Sequence, residues 1–187
     1  KLVRELSLIA EGGTLILFTS YVRLRDMYEQ LKDTLMEQGL LPLKQGDKSR
    51  RELLDIMKSR SYVVLFATSS FWEGIDIQGE TLRSVIIEKL PFDNPGDPIY
   101  KAKVALLDSK GINSFMSYSV PRAVLRLKQG MGRLIRSKND RGIIVLMDNR
   151  VKTKRYGRIF LNSLPPSPVC YDHVNQIIRE TERFFTE

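Results

Sequence analysis

The chain has 187 residues, a formal net charge of +8 and a composition of 42% hydrophobic and 28% charged residues; these values exclude a disordered or fibrous protein and leave room for one sizeable core. Its single cysteine, Cys170, excludes an internal disulfide, a cysteine-based zinc site and an iron–sulfur cluster ligated within this chain. No apolar run approaches the roughly 20 residues that span a bilayer, and no charged-then-apolar leader opens the chain, so we expect a cytoplasmic protein without a membrane partner.

The length of the chain predicts a single domain, residues 1–187. Because the chain opens without a methionine, in sequence typical of the middle of a helix, we expect this domain to be a piece of a longer protein. Unbroken apolar runs then alternate with segments of helical periodicity, which is typical of a parallel sheet covered on both faces. Ser49 and Glu52 have capping-box spacing, and Gly39 follows a helical segment as a terminator would. The predicted strands are 15–19, 40–44, 62–67, 84–88 and 142–147, and the predicted helices are 24–36, 49–57 and 172–185. The fold class that this pattern predicts is α/β, with a doubly wound parallel sheet and helices on both faces.

A proline- and glycine-rich segment, 91–121, interrupts the alternation between the fourth and the fifth predicted strand. It contains Pro91, Pro95 and Pro98 around a short helical patch at 99–107. Because prolines disfavour a continuous helix or strand, we interpret the segment as an insertion or lid that precedes a basic helix.

This basic helix carries cationic and polar side chains on one face. At about 100° per residue the stripe falls within an arc of about 80°. Its members are Arg122, Arg126, Gln129, Arg133 and Arg136. Gly130 and Gly132 each disfavour the helix by roughly 1 kcal/mol relative to alanine, which indicates that a ligand approaches closely there. Arginine suits phosphate because its planar fork donates two parallel hydrogen bonds, although a solvated basic face is the ordinary alternative.

The positive charge is concentrated in one part of the chain. Residues 120–158 contain twelve Lys and Arg against two Asp, a balance of +10, and the remaining residues sum to −2. A local basic region of this kind indicates a polyanion partner. Nucleic acid is favoured over an acidic membrane, because no strongly apolar amphipathic anchor accompanies the charge.

In an open parallel sheet, ligands bind outside the carboxyl ends of the strands. The residues that follow the predicted strands are therefore candidate site residues: Ser20 and Tyr21, Gln45 and Gly46, 68–76, and 90–93. In the third group, Glu73 and Asp76 are either solvated loop acids or contacts to a sugar hydroxyl, and the spacing alone does not choose between them. Trp72 is either a core residue or a base-stacking platform.

Two of these segments match motifs of a known family. Residues 67–76, with Ala67-Thr68 and Gly74-Ile75-Asp76, and residues 129–136 (QGMGRLIR) resemble motifs V and VI of superfamily-two helicases. Together with 15–21 (LILFTSY), 71–79 (FWEGIDIQG), 90–92 (LPF) and 124–137, they resemble the DinG branch of the DinG/XPD family of DNA helicases. The similarity extends from about residue 15 to 164 and includes the proline-rich insertion before motif VI.

The resemblance implies that the chain is the second RecA-like motor domain of an ATP-dependent DNA helicase. In that family ATP and Mg²⁺ bind between two such domains, so the N-terminal RecA-like domain of the same protein is an implied partner. The implied catalytic residues are Arg136, as the arginine finger, and Arg133, as a second γ-phosphate contact. Gln129, Glu73, Gly74 and Asp76 would line the nucleotide side.

The same resemblance implies a track for single-stranded DNA and a location in the cytoplasm at the nucleoid. Ser20, Tyr21, Thr68 and Ser69 would contact the DNA backbone. Neither a phosphate-binding loop of the form Gly-x-x-x-x-Gly-Lys-Ser/Thr nor the cysteine quartet of the family's iron–sulfur cluster occurs in the sequence. We therefore expect the chain alone to lack ATPase and helicase activity, while a cluster stays possible in the parent protein. The alternatives are a non-catalytic nucleic-acid-binding module, the helicase-like part of a nuclease fusion, or an RNA substrate.

Overall fold

The computed structural model describes residues 1–68, 71, 81–131, 141–170 and 173–187. These residues form one five-stranded sheet whose neighbouring strands all pair in parallel. The strands are β1 (Thr14–Phe18), β2 (Leu41–Lys44), β3 (Val63–Thr68), β4 (Ser84–Ile87) and β5 (Ile143–Leu146), in the spatial order β2-β3-β1-β4-β5. All five predicted strands are confirmed, with boundaries that differ by at most one residue.

The structure contains the predicted helices 24–36, 49–57 and 172–185, with bounds shifted by up to three residues, and adds two short helices after β5 that were not predicted. The helices of the described residues are α1 (Leu2–Ile9), α2 (Tyr21–Glu37), α3 (Arg50–Ser59), α4 (Pro98–Ser109), α5 (Val120–Met131), α6 (Arg150–Thr153), α7 (Gly157–Asn162) and α8 (Val174–Thr186), with a π-helical turn at Phe115–Ser119 before α5. The capping box is confirmed at α3: the Glu52 amide donates to Ser49 Oγ at 3.3 Å, and the Ser49 amide donates to a Glu52 carboxylate oxygen at 3.0 Å. Gly39 follows α2 with a φ of +79°, as expected of a helix terminator.

Alternate residues of each strand face the two sides of the sheet. Leu15 and Leu17 of β1 belong to a core that α3, α5 and α7 cover, whereas Ile16 and Phe18 belong to a second core that α1 and α2 cover. Parallel strands with both faces buried need largely apolar sequence, which explains the apolar runs of the three central strands β1, β3 and β4, whereas the edge strands β2 and β5 are mostly half-buried. The doubly wound α/β prediction is therefore confirmed.

The proline-rich segment is attached to the body of the domain at its base. Phe92 stacks on Phe115 at 5.7 Å between ring centroids and meets Tyr156 and Phe160 edge-on at 5.8 and 5.7 Å. The predicted helical patch is confirmed as α4, which begins after the N-cap Asp97 with Pro98 at its first position. None of the residues of α4 is buried. The insertion is therefore a solvent-exposed helix that is attached to the domain through the aromatic cluster around Phe92.

No helix in the described ranges combines the length and apolar character that crossing a membrane requires.

Candidate functional site

A cleft of about 760 Å³ lies at the carboxyl edge of the sheet, where β1 and β4 are neighbours. The chain leaves β1 through α2 towards β2 on one side and leaves β4 towards β5 on the other, so this is the topological switch point of the sheet. Ligands of open α/β sheets bind at such points. The lining residues include Thr19 and Ser20 after β1, Lys89 and Asp93 after β4, and Arg126, Gln129 and Arg150.

Three of the residues predicted to contact DNA come together at this edge. Ser20 is the N-cap of α2 and Tyr21 is its first residue, with 49% of its surface exposed. Thr68 is the last residue of β3 and lies opposite Phe18 in the parallel register, so it ends level with the start of α2. The fourth, Ser69, lies outside the described residues.

The residue that connects two of them is Gln45, which follows β2. The Gln45 side-chain oxygen accepts hydrogen bonds from the Thr68 amide at 2.8 Å and from the Thr68 hydroxyl at 2.9 Å. The Gln45 backbone carbonyl accepts a hydrogen bond from the Tyr21 hydroxyl. From the sequence, Gln45 was only one of several residues after a strand, and its polar side chain at a carboxyl end was the signal available.

The predicted basic stripe is confirmed as an exposed face over the described part of α5. Arg122 and Gln129 are exposed, while Ala123 and Leu127 on the opposite side are buried. The structure adds a partner for the first part of the stripe. Asp93 accepts from Arg122 Nε at 2.8 Å, and an Arg126 nitrogen lies 2.6 Å from its other oxygen. These two arginines therefore anchor α5 to the segment after β4 through a carboxylate, a role that differs from the phosphate grip predicted for the stripe.

Of the six residues predicted for the nucleotide side, one lies among the described residues. Gln129 is exposed and lines the cleft, two residues before the end of the described part of α5. The other predicted residues on this side, Arg133, Arg136, Glu73, Gly74 and Asp76, lie outside the described residues.

A second carboxylate, Asp148, connects the segment after β5 with the segment after β4 beside the cleft. Asp148 is buried and accepts hydrogen bonds from the Leu90 amide at 3.0 Å and from Arg150 Nε at 2.9 Å. The Arg150 guanidinium in turn lies over the Phe92 ring at 5.4 Å. Burial raises the pKa of Asp148, but the hydrogen bonds from Arg150 and Leu90 more than offset it and hold the pKa below its ordinary value. Asp148 therefore stays ionised and keeps the segment after β4 in place.

Asp93 makes the stability of the domain depend on pH. Burial raises the pKa of Asp93, but Arg122 and Arg126 more than offset it, so the folded-state pKa lies below its ordinary value. The ion pairs then stabilise the fold fully above the unfolded pKa of about 3.9, and this stabilisation is lost as the pH falls through the folded pKa. We expect Asp93→Asn to lower the free energy of unfolding at pH 7 by about 1–2 kcal/mol, since solvent screens the half-exposed Arg122.

Urea denaturation at pH 7 and near pH 3 measures this dependence. Wild type should lose more stability than Asp93→Asn between the two pH values, because only wild type has the carboxylate to protonate. Asp26→Asn, which removes an exposed carboxylate on α2, is the matched control and should follow wild type. An equal loss of stability in Asp93→Asn and wild type would contradict the assignment of the pH dependence to Asp93.

The sheet order and the cleft at its switch point define a RecA-like α/β domain. The family model for the helicase C-terminal domain matches residues 3–167, and the chain belongs to this family. The chain is 45% identical over 86% of its length to the ATP-dependent DNA helicase YoaA of Escherichia coli (strain K12) and 41% identical over 83% of its length to the 3'-5' exonuclease DinG of Bacillus subtilis (strain 168). It spans 25% and 17% of these relatives. The predicted membership of the DinG branch is confirmed.

Solved structures show the same fold. An XPD structure without ligand superposes with a TM-score of 0.61 at 21% identity, over 83% of this chain and 32% of that one. The Xpd4 protein of S. tokodaii superposes with a TM-score of 0.53 at 24% identity, over 75% of this chain and 27% of that one. The predicted RecA-like architecture is therefore confirmed.

Proposed function

We propose that the chain, as one domain of a longer protein, is the second motor domain of an ATP-dependent DNA helicase that works on DNA in the cytoplasm, at the nucleoid. The observation that carries the proposal is the convergence of Ser20, Tyr21 and Thr68 at the carboxyl edge, beside a cleft at the switch point. Membership of the helicase C-terminal domain family supports the same conclusion.

On the nucleotide side, Arg136 supplies the arginine finger and Arg133 a second contact to the γ-phosphate. Gln129, Glu73, Gly74 and Asp76 line the same side of the domain. ATP and Mg²⁺ are shared with the N-terminal RecA-like domain, because the sequence contains no phosphate-binding loop. Phosphoryl transfer is accelerated by positioning and charge stabilisation, so an arginine on a moving domain makes hydrolysis depend on domain closure.

On the DNA side, Ser20, Tyr21, Thr68 and Ser69 hold the backbone of single-stranded DNA. The start of the 17-residue helix α2 supports this role, because the first amides of a helix and its dipole attract phosphate. Such contacts follow the strand without reading its sequence. The excess of +10 in residues 120–158 adds a salt-dependent attraction to the strand.

The purified 187-residue chain should bind single-stranded DNA and should not hydrolyse ATP. Fluorescence anisotropy with a labelled oligonucleotide measures binding, which should weaken as salt rises, and a phosphate-release assay measures hydrolysis. Tyr21→Ala should weaken binding about threefold to tenfold if it removes roughly one backbone contact. Tyr62→Ala is the matched control, since Tyr62 is 42% exposed but precedes β3 at the opposite edge of the sheet. Steady ATP turnover by this chain would refute the division of labour between the two domains.

A second candidate is a helicase-like domain within a nuclease. The observation that favours it is the 41% identity to the 3'-5' exonuclease DinG of Bacillus subtilis. Within the part of the chain that the structure describes, no group of three or more His, Cys, Asp or Glu residues could hold a metal ion.

A further inference from the structure

The segment after β5, residues 150–158, carries positive charge that no nearby acidic residue in the sequence balances. We call it the basic segment; it comprises α6, a short connection and the start of α7. Residues 149–171 contain five Lys and Arg and no Asp or Glu. One of the five, Arg150, is paired with Asp148. The other four are exposed, and among the described residues none of their side chains has an ion-pair or hydrogen-bond partner; they are Lys152, Lys154, Arg155 and Arg158.

The basic segment is compact, so these four charges are held on one small unit. The Gly157 amide donates to the Lys154 carbonyl at 2.9 Å, and the Lys154 amide donates to the Arg150 carbonyl at 3.0 Å. A Cβ atom at position 157 would lie 2.0 Å from the Val151 carbonyl oxygen, so the start of α7 packs directly against α6. Like charges on a unit of this size repel each other, and a bound polyanion removes this repulsion.

The basic segment lies at the carboxyl edge of the sheet, across the cleft from the residues proposed for DNA. The strands of a parallel sheet end at the same edge, and α6 begins shortly after the end of β5. Only β4 separates β5 from β1, which Ser20 follows, so the ends of β1 and β5 are two strand spacings, or about 10 Å, apart. Arg150, the first residue of α6, lines the cleft. A DNA strand that is bound at the end of β1 and crosses the cleft therefore reaches the basic segment.

An exposed aromatic ring beside the basic segment favours single-stranded DNA over a duplex. Tyr156, which lies between Arg155 and Arg158 in the sequence, meets the Phe115 ring edge-on at 5.2 Å. Phe115 is 41% exposed and stacks on Phe92, which lines the cleft. The unpaired bases of a single strand can stack on such a ring, whereas the bases of a duplex are already stacked on each other. Cations next to an exposed ring therefore suit a single strand.

We propose that the basic segment is a second binding surface for the phosphate backbone of single-stranded DNA, which continues the track from the end of β1 across the cleft. The proposal rests on the proposed function, because it extends that track. The side chains that bind phosphate are Lys152, Lys154, Arg155 and Arg158. Each cation that neutralises a phosphate releases a counterion, so the slope of log Kd against log salt concentration reports how many phosphates are bound.

The test compares two doubly neutralised variants of the 187-residue chain with wild type. Arg155→Gln/Arg158→Gln removes two charges from the basic segment. Lys58→Gln/Arg60→Gln is the matched control, because it removes the same charge from exposed residues at the end of α3, at the opposite edge of the sheet. The first measurement is the Kd for a labelled single-stranded oligonucleotide and for a blunt duplex over a range of salt concentrations. The second is the NMR shift of the arginine Nε–H signals when the single strand is added.

Arg155→Gln/Arg158→Gln should weaken binding of the single strand about tenfold to thirtyfold at about 0.1 M salt. It should also reduce the salt slope by about 1.4, because each phosphate neutralised on a single strand contributes about 0.7. The control should bind within about twofold of wild type, since its charges are distant and screened. In wild type, the Nε–H signals of Arg155 and Arg158 should shift on addition of the single strand, whereas the signal of Arg60 should not.

The outcomes separate this proposal from the proposed function. If wild type does not bind single-stranded DNA, the proposed function fails and the second surface fails with it. If wild type binds but the two variants lose equal affinity, the basic segment is an ordinary solvated surface, and this proposal is overturned while the proposed function stands. A loss confined to the duplex overturns the assignment to a single strand. If Arg155→Gln/Arg158→Gln does not fold, the arginine signals of wild type decide, and unchanged signals of Arg155 and Arg158 overturn the proposal.

Discussion

In the full-length protein, we expect Arg136→Ala to lower ATP turnover at least about 10³-fold while the affinity for single-stranded DNA changes by less than about twofold. An arginine finger stabilises charge that develops on the transferred phosphoryl group, so its loss affects the transition state more than any ground-state contact. Arg136→Lys should recover only a small part of the rate, because an ammonium group cannot donate two parallel hydrogen bonds. Steady-state ATPase kinetics and DNA anisotropy measure the two quantities on the same preparations.

The predicted stripe offers a control within the described part of α5. Arg122 belongs to the predicted stripe, but its guanidinium is paired with Asp93 and lies over the Tyr118 ring at 5.1 Å. Arg122→Ala should therefore reduce stability modestly and change turnover by less than about tenfold, because a pair that is 44% exposed on the arginine side contributes little. Equal losses of turnover in the two variants would show that the stripe acts as one basic surface. Full turnover in Arg136→Ala would overturn the arginine-finger role, whereas a wild-type protein without turnover would favour the binding module.

The sheet could be predicted from sequence because its signal is local. A parallel strand buried on both faces must be continuously apolar, so the run at 62–67 predicts a strand that the structure places at Val63–Thr68. The capping box of Ser49 and Glu52 is equally local, since its partners are three residues apart. The carboxyl edge then follows from the rule that parallel strands end together, which identified Ser20, Tyr21 and Thr68 as neighbours.

The contacts that organise the site could not be predicted, because their partners are distant in sequence. Gln45 and Thr68 are 23 residues apart and meet only because β2 and β3 are adjacent and in register. Asp93 and Arg122 are 29 residues apart and meet because the aromatic base of the insertion returns the chain to α5. Helical periodicity identified the exposed face of α5 but carried no information about the carboxylate that pairs with two of its arginines.

The tight connection between α1 and β1 depends on Gly12, and we expect Gly12→Ala to lower the free energy of unfolding by about 3–5 kcal/mol. Gly12 has a φ of +87°, and a Cβ atom there would lie 2.3 Å from Tyr62 Cα and 2.6 Å from the Ser61 carbonyl oxygen. Both neighbours are backbone atoms, so relief requires movement of the segment that enters β3. Because β3 is a central strand that pairs with β1 and β2, such a movement disturbs both cores.

Gly111→Ala separates this collision from the strain of the backbone angle. Gly111 has a similar φ of +72°, but no atom lies within 4 Å of the position that its Cβ would take. An alanine there is strained only by the left-handed backbone conformation, which destabilises the fold by roughly 1–2 kcal/mol. Urea denaturation of the two variants under identical conditions should give Gly12→Ala the clearly lower midpoint. Equal midpoints would show that the loop at Gly12 relaxes freely and that the close approach of Tyr62 does not constrain the start of the sheet.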